Sequence, residues 1–276
     1  MQFQIQFLQV NTLLLCYFCG MILIDTHTHL YLSEFDNDRD QVVKDAIEKG
    51  VKYMFLPNIN SKSVAGMISL EEKYPTHCFA MMGLHPTDVK KDYQSELNFV
   101  SDWLAKRKFI AVGEIGIDLY WDKTFINEQI KAFTFQIELA RKYNLPIVIH
   151  SRDSMTEILS VLKSMNLEKI TGVFHCFNGT LDEANEVIEM GFLLGIGGVV
   201  TFKNAGLDKI VAAIDLKNLL LETDAPFLTP VPHRGKRNES AHTYYVAKKI
   251  AEIKQTSIEN VAEITTHNAK CLFKID

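Results

Sequence analysis

From Met21 onward the chain alternates short apolar runs with longer amphipathic stretches, and it does so eight times without a break in composition. An apolar run of a few residues followed by helical periodicity is a βα unit, and repeated units build a parallel sheet covered by helices. Strands are expected at 22–25, 53–57, 79–83, 109–113, 147–149, 172–174, 192–195 and 219–221. Helices are expected between them at 40–49, 63–73, 97–108, 127–143, 155–165, 181–190 and 207–214, with two more at 240–254 and 258–270. Gly50, Pro75, Pro146 and Gly191 supply the stops. An open doubly wound sheet would normally carry a glycine-rich phosphate turn after its first strand. Here the first strand ends instead in Asp25-Thr26-His27-Thr28-His29. Eight units in 276 residues, with no linker or low-complexity segment, fit one domain of the α/β class over 21–276, a single (β/α)8 TIM barrel.

Composition narrows the function classes. A 47% apolar and 23% charged chain is ordinary globular material with enough for a large core. The net charge of −5 argues against a general basic coat for nucleic acid, while leaving room for a local basic patch or for metal ions that bind phosphate. Five scattered cysteines in apolar surroundings point to a reduced, cytoplasmic protein. No charged residue precedes Asp25, and the apolar run at 13–19 is too short for a membrane span and lacks the basic flank of an export signal. Residues 1–20 therefore read as an extension ahead of a natural start at Met21. Cys16 and Cys19 form a C-x-x-C without a second pair, and no metal or redox role is assigned to them.

Barrel active sites form at the C-terminal ends of the strands, and the metal-capable residues fall there. The first strand ends in His27 and His29, the fourth in Glu114, the fifth in His150, the sixth in His175 and the eighth in Asp224. Alternate residues of an extended chain share a face, so His27 and His29 can chelate one ion. Any one of these could be a capped or solvated strand end, but a buried strand ending in His, Glu or Asp five times over is hard to explain by packing. Four imidazoles and two carboxylates suit Zn²⁺, Mn²⁺ or Fe²⁺ better than Ca²⁺, and disfavour Mg²⁺ without excluding it. Six ligands exceed one tetrahedral ion; two divalent ions ~3.5–4 Å apart, sharing a carboxylate, account for the number.

At this point the sequence resembles the TatD-like metal-dependent deoxyribonucleases of the amidohydrolase superfamily. The matching motifs are Asp25-Thr26-His27-Thr28-His29, Gly83-Leu84-His85-Pro86, Gly113-Glu114-Ile115-Gly116-Ile117-Asp118 and His150-Ser151-Arg152. They continue with His175-Cys176-Phe177, Glu222-Thr223-Asp224-Ala225-Pro226, Arg234-Gly235-Lys236-Arg237-Asn238 and Asn268-Ala269, so that the likeness covers 21–273. The resemblance implies one ion on His27, His29 and Asp224, another on His150 and His175, and Glu114 bridging them. It also implies DNA as substrate, cut by a two-metal-activated water and trimmed as single strands from the 3′ end. Asp224 would accept the proton of the attacking water. Related hydrolases of esters and lactones often bridge with a carbamylated lysine, for which Glu114 leaves no place. Ser240 departs from the proline common in the family, which should shift the start of the next helix and not the chemistry.

Around this centre, His85 is expected to support the site or touch the substrate phosphate, and Arg152 to bind phosphate in bidentate fashion. Residues 233–238 lie on the rim of the same face and offer Arg234 and Lys236 to a nucleic-acid backbone. Tyr120 and Trp121 could stack on a base or merely pack loops. Asp25 would share the inward face with His27 and orient a ligand, or simply be buried and hydrogen-bonded; Cys176 would pack outward; and His77, His233, His242 and His267 are surface or packing histidines. The competing functions are hydrolysis of another ester or amide, such as a small phosphodiester or an aminoacyl-nucleic acid ester, and a metal-binding scaffold without activity.

Overall fold

In a computed structural model the chain is described from Gly20 to Ile275; the expectations for residues 1–19, including Cys16 and Cys19, lie outside the described residues. Eight parallel strands follow one another: β1 (Leu23–Asp25), β2 (Val51–Leu56), β3 (Cys78–Ala80), β4 (Val112–Asp118), β5 (Ile147–Arg152), β6 (Gly172–Phe174), β7 (Phe192–Ile196) and β8 (Leu219–Leu221). Each is succeeded by a helix: α1 (Arg39–Glu48), α2 (Val64–Lys73), α3 (Tyr93–Lys106), α4 (Ile126–Tyr143), α5 (Met155–Ser164), α6 (Leu181–Glu189), α7 (Leu207–Ala213) and α8 (Thr243–Lys254). A ninth helix among the described residues, α9 (Ile258–Phe273), follows α8. Among the described residues no helix is long and apolar enough to cross a membrane.

Strands β1 to β3 pair in order, as do β4 to β8. Two short seams join the halves into a barrel. Met82 N donates to Ala111 O at 3.2 Å and Gly113 N to Met82 O at 3.0 Å, linking β3 to β4. Thr26 N donates to Leu221 O at 3.0 Å, Asp224 N to His27 O at 2.9 Å and His29 N to Ala225 O at 2.7 Å, linking β8 to β1. Strands covered on both sides are largely apolar, which is why β6 and β8 are short unbroken buried apolar runs, while β1 adds the buried Asp25 to two apolar residues.

The barrel interior is filled by Ile24, Tyr53, Phe55, Met81, Ala111, Val148, Val173 and Leu220, and Phe273 of α9 packs its ring against Phe55 at a centroid distance of 4.8 Å. The larger core lies between the strands and the surrounding helices. Interior position repeats every second residue, so Val148, Val173 and Leu220 lead on to His150, His175 and Glu222 at the C-terminal mouth.

Two expectations are corrected. Glu114 lies inside a strand, not at its end, because β4 runs on to Asp118 through pairs Ile115–Ile149, Gly116–His150, Ile117–Ser151 and Asp118–Arg152. Asp25 does not share an interior row with His27: Ile24 is the residue that points inward, and Asp25 reaches sideways to Thr223. The shift near Ser240 is as expected, a 3-10 turn over Ser240–His242 that delays α8 to Thr243.

Candidate metal centre

All six expected ligands converge at the C-terminal mouth around the buried carboxylate of Glu114. Its two oxygens face different partners. Oε2 lies 3.1 Å from His27 Nε2 and 3.6 Å from His29 Nε2. Oε1 lies 2.7 Å from His150 Nδ1 and 3.0 Å from His175 Nε2. Asp224 Oδ1 completes the first group, 3.5 Å from His29 Nε2 and 3.8 Å from His27 Nε2. Glu114 is reached through Gly113, where a Cβ would stand 2.7 Å from Cβ of Val148, so only glycine lets β4 approach β5 this closely.

Hydrogen bonds fix which ring nitrogens are bare. Tyr31 Oη donates to Pro57 O at 2.5 Å, so it accepts from His29 Nδ1–H at 2.9 Å and leaves His29 Nε2 a lone pair. That nitrogen stands 3.3 Å from His27 Nε2, a close approach of ring nitrogens that suits a cation between them. On the other side Asp118 Oδ2 accepts from His150 Nε2–H at 2.9 Å, which leaves His150 Nδ1, facing Glu114, as the nitrogen that can exchange its proton for an ion. His85 is built the opposite way. Its Nδ1 accepts the Thr87 backbone N–H at 3.1 Å, so Nε2 carries the proton that faces Glu114 Oε1 at 3.3 Å. His85 thus steadies the carboxylate and is not itself poised as a ligand, although its donor atoms cluster with Glu114 and His150.

Charge follows this geometry. Burial raises the Glu114 pKa, but the imidazoles of His175, His85, His27 and His150 outweigh it and hold the carboxyl well below its usual range. Burial also opposes ionisation of Asp224, and His29, His175 and His27 overcome it, so the group is ionised at neutral pH. Burial disfavours a charged His175, yet Glu114 and Glu222 raise its pKa well above the ordinary value. So many histidines around acids, with donors aimed inward, form a nitrogen- and oxygen-rich cluster able to bind divalent metal.

Several residues around the centre carry roles that their sequence motifs did not reveal. Glu222 is fully buried and accepts the Cys176 backbone N–H at 2.6 Å. Cys176 does not pack outward: β6 ends at Phe174, Cys176 turns with φ 46°, and burial, then Glu222, Asp224 and Glu114, push its thiol well above the usual range. Asp25 binds Thr223 through N–H (2.9 Å) and hydroxyl (2.7 Å), and burial pushes it up to about 7. Two buried amides of α4 grip the strand ends from below. Gln129 exchanges hydrogen bonds with Asp118 N (2.8 Å) and O (3.2 Å), and Gln136 with Leu84 N (2.7 Å) and O (3.2 Å).

The rim is more divided than its sequence suggests. Arg152 stacks on Tyr120 (3.8 Å to the centroid) and Trp121 (5.3 Å), and Arg234 stacks on Phe202 at 3.8 Å. Lys236 is exposed, but Arg237 is spent on a two-pronged pair with Asp38 at 2.8 and 2.7 Å. Asn238 is buried and donates to Thr223 O and Phe227 O, both at 2.7 Å, which supports the turn that carries Asp224. Phe227, half exposed, sets its ring edge-on to His29.

His242 backs that turn, with its Nδ1–H donating to Asn238 Oδ1 at 2.9 Å. Burial, then His233, pushes its pKa from 6.5 down to about 4. A base depressed in the fold contributes stability that is present above pH 6.5 and is lost as the pH falls toward about 4. The urea midpoint of the metal-free protein is expected to drop across that window, and to drop less in His242→Gln. Parallel pH profiles for the two proteins would remove His242 from the acid limb.

The family model described as "TatD related DNase" matches residues 24–274. The chain belongs to the TatD family. Its TatD relatives include an uncharacterized metal-dependent hydrolase, YabD of Bacillus subtilis, 40% identical over 92% of this chain and all of that protein. They also include a protein of Escherichia fergusonii named 3'-5' ssDNA/RNA exonuclease TatD, 31% identical over 92% of this chain and 99% of its own. The crystal structure of YjjV, a TatD homologue from Escherichia coli K12, superposes with a TM-score of 0.87 at 30% identity, covering 92% of this chain and 98% of that one. The chain is therefore a metal-dependent hydrolase of the TatD family and shares the fold of YjjV.

Proposed function

We propose that the chain hydrolyses DNA phosphodiester bonds, trimming single strands from the 3′ end. One divalent ion would be held by His27, His29 and Asp224, a second by His150 and His175, with Glu114 shared. The observation that carries this reading is the division of Glu114, one oxygen toward each set of histidines. A carboxylate so placed suits two ions of an in-line displacement better than one tetrahedral site. The nitrogen-rich set favours Zn²⁺ or Mn²⁺, with Mg²⁺ open. Bound there, such ions supply an acidified water at neutral pH and neutralise charge on the phosphoryl oxygens.

The chain's own groups do the rest. Asp224, ionised and at the edge of the mouth, accepts the proton from the attacking water. His85 holds Glu114 in place. Arg152, Arg234 and Lys236 take backbone phosphates on the rim, two of them braced on aromatic rings. Tyr120, Trp121 and Phe227 are exposed aromatics on the loops after β4 and β8. Unpaired bases can stack on them, whereas a duplex hides its base faces, which favours single strands.

The deciding experiment offers 5′-labelled single-stranded DNA, duplex DNA and RNA to metal-reconstituted protein, with product sizing. Stepwise shortening of labelled single strands, abolished by chelation, is expected. A protein that leaves every oligonucleotide intact while splitting a small ester or amide would refute the reading. On single-stranded DNA, Arg234→Ala/Lys236→Ala is expected to weaken binding and to reduce the slope of log K against log salt by about 1.4. An unchanged slope would take the rim out of the substrate path.

A further inference from the structure

Two of the four histidines of the centre have a visible partner for the nitrogen that faces away from the ions, Tyr31 for His29 and Asp118 for His150. The other two have none. His27 Nδ1, His175 Nδ1 and Glu222 Oε2 are buried polar atoms with no hydrogen bond among the described residues. They are not scattered, because His27, His175 and Glu222 bring their ligand atoms within 4.8 Å of one another in a fully buried group. The two imidazoles stack nearly parallel, with centroids 3.7 Å apart and planes 13° apart, so a carboxylate beside one ring lies close to the other. Glu222 Oε1 already stands 3.4 Å from His175 Nδ1.

Orphaned buried groups of this kind are costly and rare, and three in one place call for a common solution. We infer that Glu222 is the shared acceptor for the Nδ1–H protons of His27 and His175, and so a positioning residue for both ions. This rests on the ligand reading under Proposed function, in which His27 belongs to one ion and His175 to the other. A carboxylate on Nδ1–H fixes the tautomer, bares the Nε2 lone pair toward the metal and raises its basicity. One side chain would then set the affinity of two ions through two rings. Gly195 makes the room: a Cβ there would lie 2.4 Å from Glu222 Oε2 and 3.1 Å from the His175 Cα.

The test compares the wild type, Glu222→Gln and Gly195→Ala, each loaded with Zn²⁺ and titrated with a competing chelator, with ¹⁵N-histidine spectra of the loaded forms. Gly195→Ala keeps the carboxylate but displaces it. Both variants are expected to bind both ions about 10–100-fold more weakly, and the Nδ1–H protons of His27 and His175 are expected to exchange faster with water while the ring N–H protons of His29 and His150 keep their wild-type rates. Unchanged affinities and unchanged Nδ1–H exchange would overturn the inference while leaving the ligand reading intact. Lost turnover with unchanged affinity would make Glu222 a group that acts on water or substrate instead. Wild-type binding of three ions, falling to two in Glu222→Gln, would mean that the three atoms hold a cation of their own. A wild type that binds no Zn²⁺ would fail the ligand reading itself, and the inference with it. Should Gly195→Ala fold poorly, Glu222→Gln alone carries each of these outcomes.

Discussion

Glu114→Gln is expected to cut the bound metal from two ions to one or none and to lower turnover by ~10³–10⁴-fold. The substitution keeps the shape of the side chain and removes its charge, so the effect is on the ions and not on packing. An amide oxygen can face one set of histidines, but its nitrogen then turns a donor toward the other. The free protein changes too. His175 is held protonated by Glu114 first and then Glu222, against the burial that opposes its charge, and would lose its stronger partner. Metal analysis after dialysis, alongside turnover on a single-stranded oligonucleotide, reads both effects. A variant that keeps two tightly bound ions would show that Glu114 does not bridge.

Asp224→Asn should behave differently. On the proposed reading Asp224 is one of four donors to the first ion, with His27, His29 and the shared Glu114, and its carboxylate is also the proton acceptor. Turnover is expected to fall by ~10²–10⁴-fold, as for loss of a general base, while most of the metal stays, since His27, His29 and Glu114 remain. The backbone at Asp224 has φ 55°, a left-handed conformation that asparagine adopts as readily as aspartate, so the turn should survive. Activity near the wild-type level would sink the proton-acceptor role, and loss of all metal would make Asp224 a ligand before anything else.

How much of this was legible depends on what kind of signal each residue leaves. The barrel was readable because strands buried on both faces must be apolar, and His27, His150, His175 and Asp224 each interrupt such a run where it ends. Glu114 was readable as a member of the buried cluster but not as a strand residue, because the pairing of β4 with β5 out to Asp118 is a long-range fact. Asp118 and Glu222 stood in plain view within their motifs. Their partners, His150 Nε2 in one case and the edges of His27 and His175 in the other, depend on how separate loops meet.

Gln129 and Gln136 did leave a trace, two amides seven residues apart on the buried face of α4, where an apolar side chain would be ordinary. Cys176 misled because strand alternation was carried past the end of β6. Within the basic run at 234–238, nothing local separates Arg234, laid on Phe202, from Arg237, consumed by Asp38.

The seam between β8 and β1 has a consequence for how the molecule is assembled. The barrel closes there through a few backbone bonds at Thr26, His29 and Asp224, and an ion on His27, His29 and Asp224 would straddle that seam. Such an ion is a clasp between the first and last strands, joining chain segments that are synthesised far apart in time. It cannot bind until both ends have met, so it stabilises only the closed form, by about 2.7 kcal/mol when free metal exceeds its dissociation constant a hundredfold. Chelation would then unbutton the barrel at one place first, and amide exchange at Thr26, His29 and Asp224 would report the opening before the opposite wall of the barrel responds.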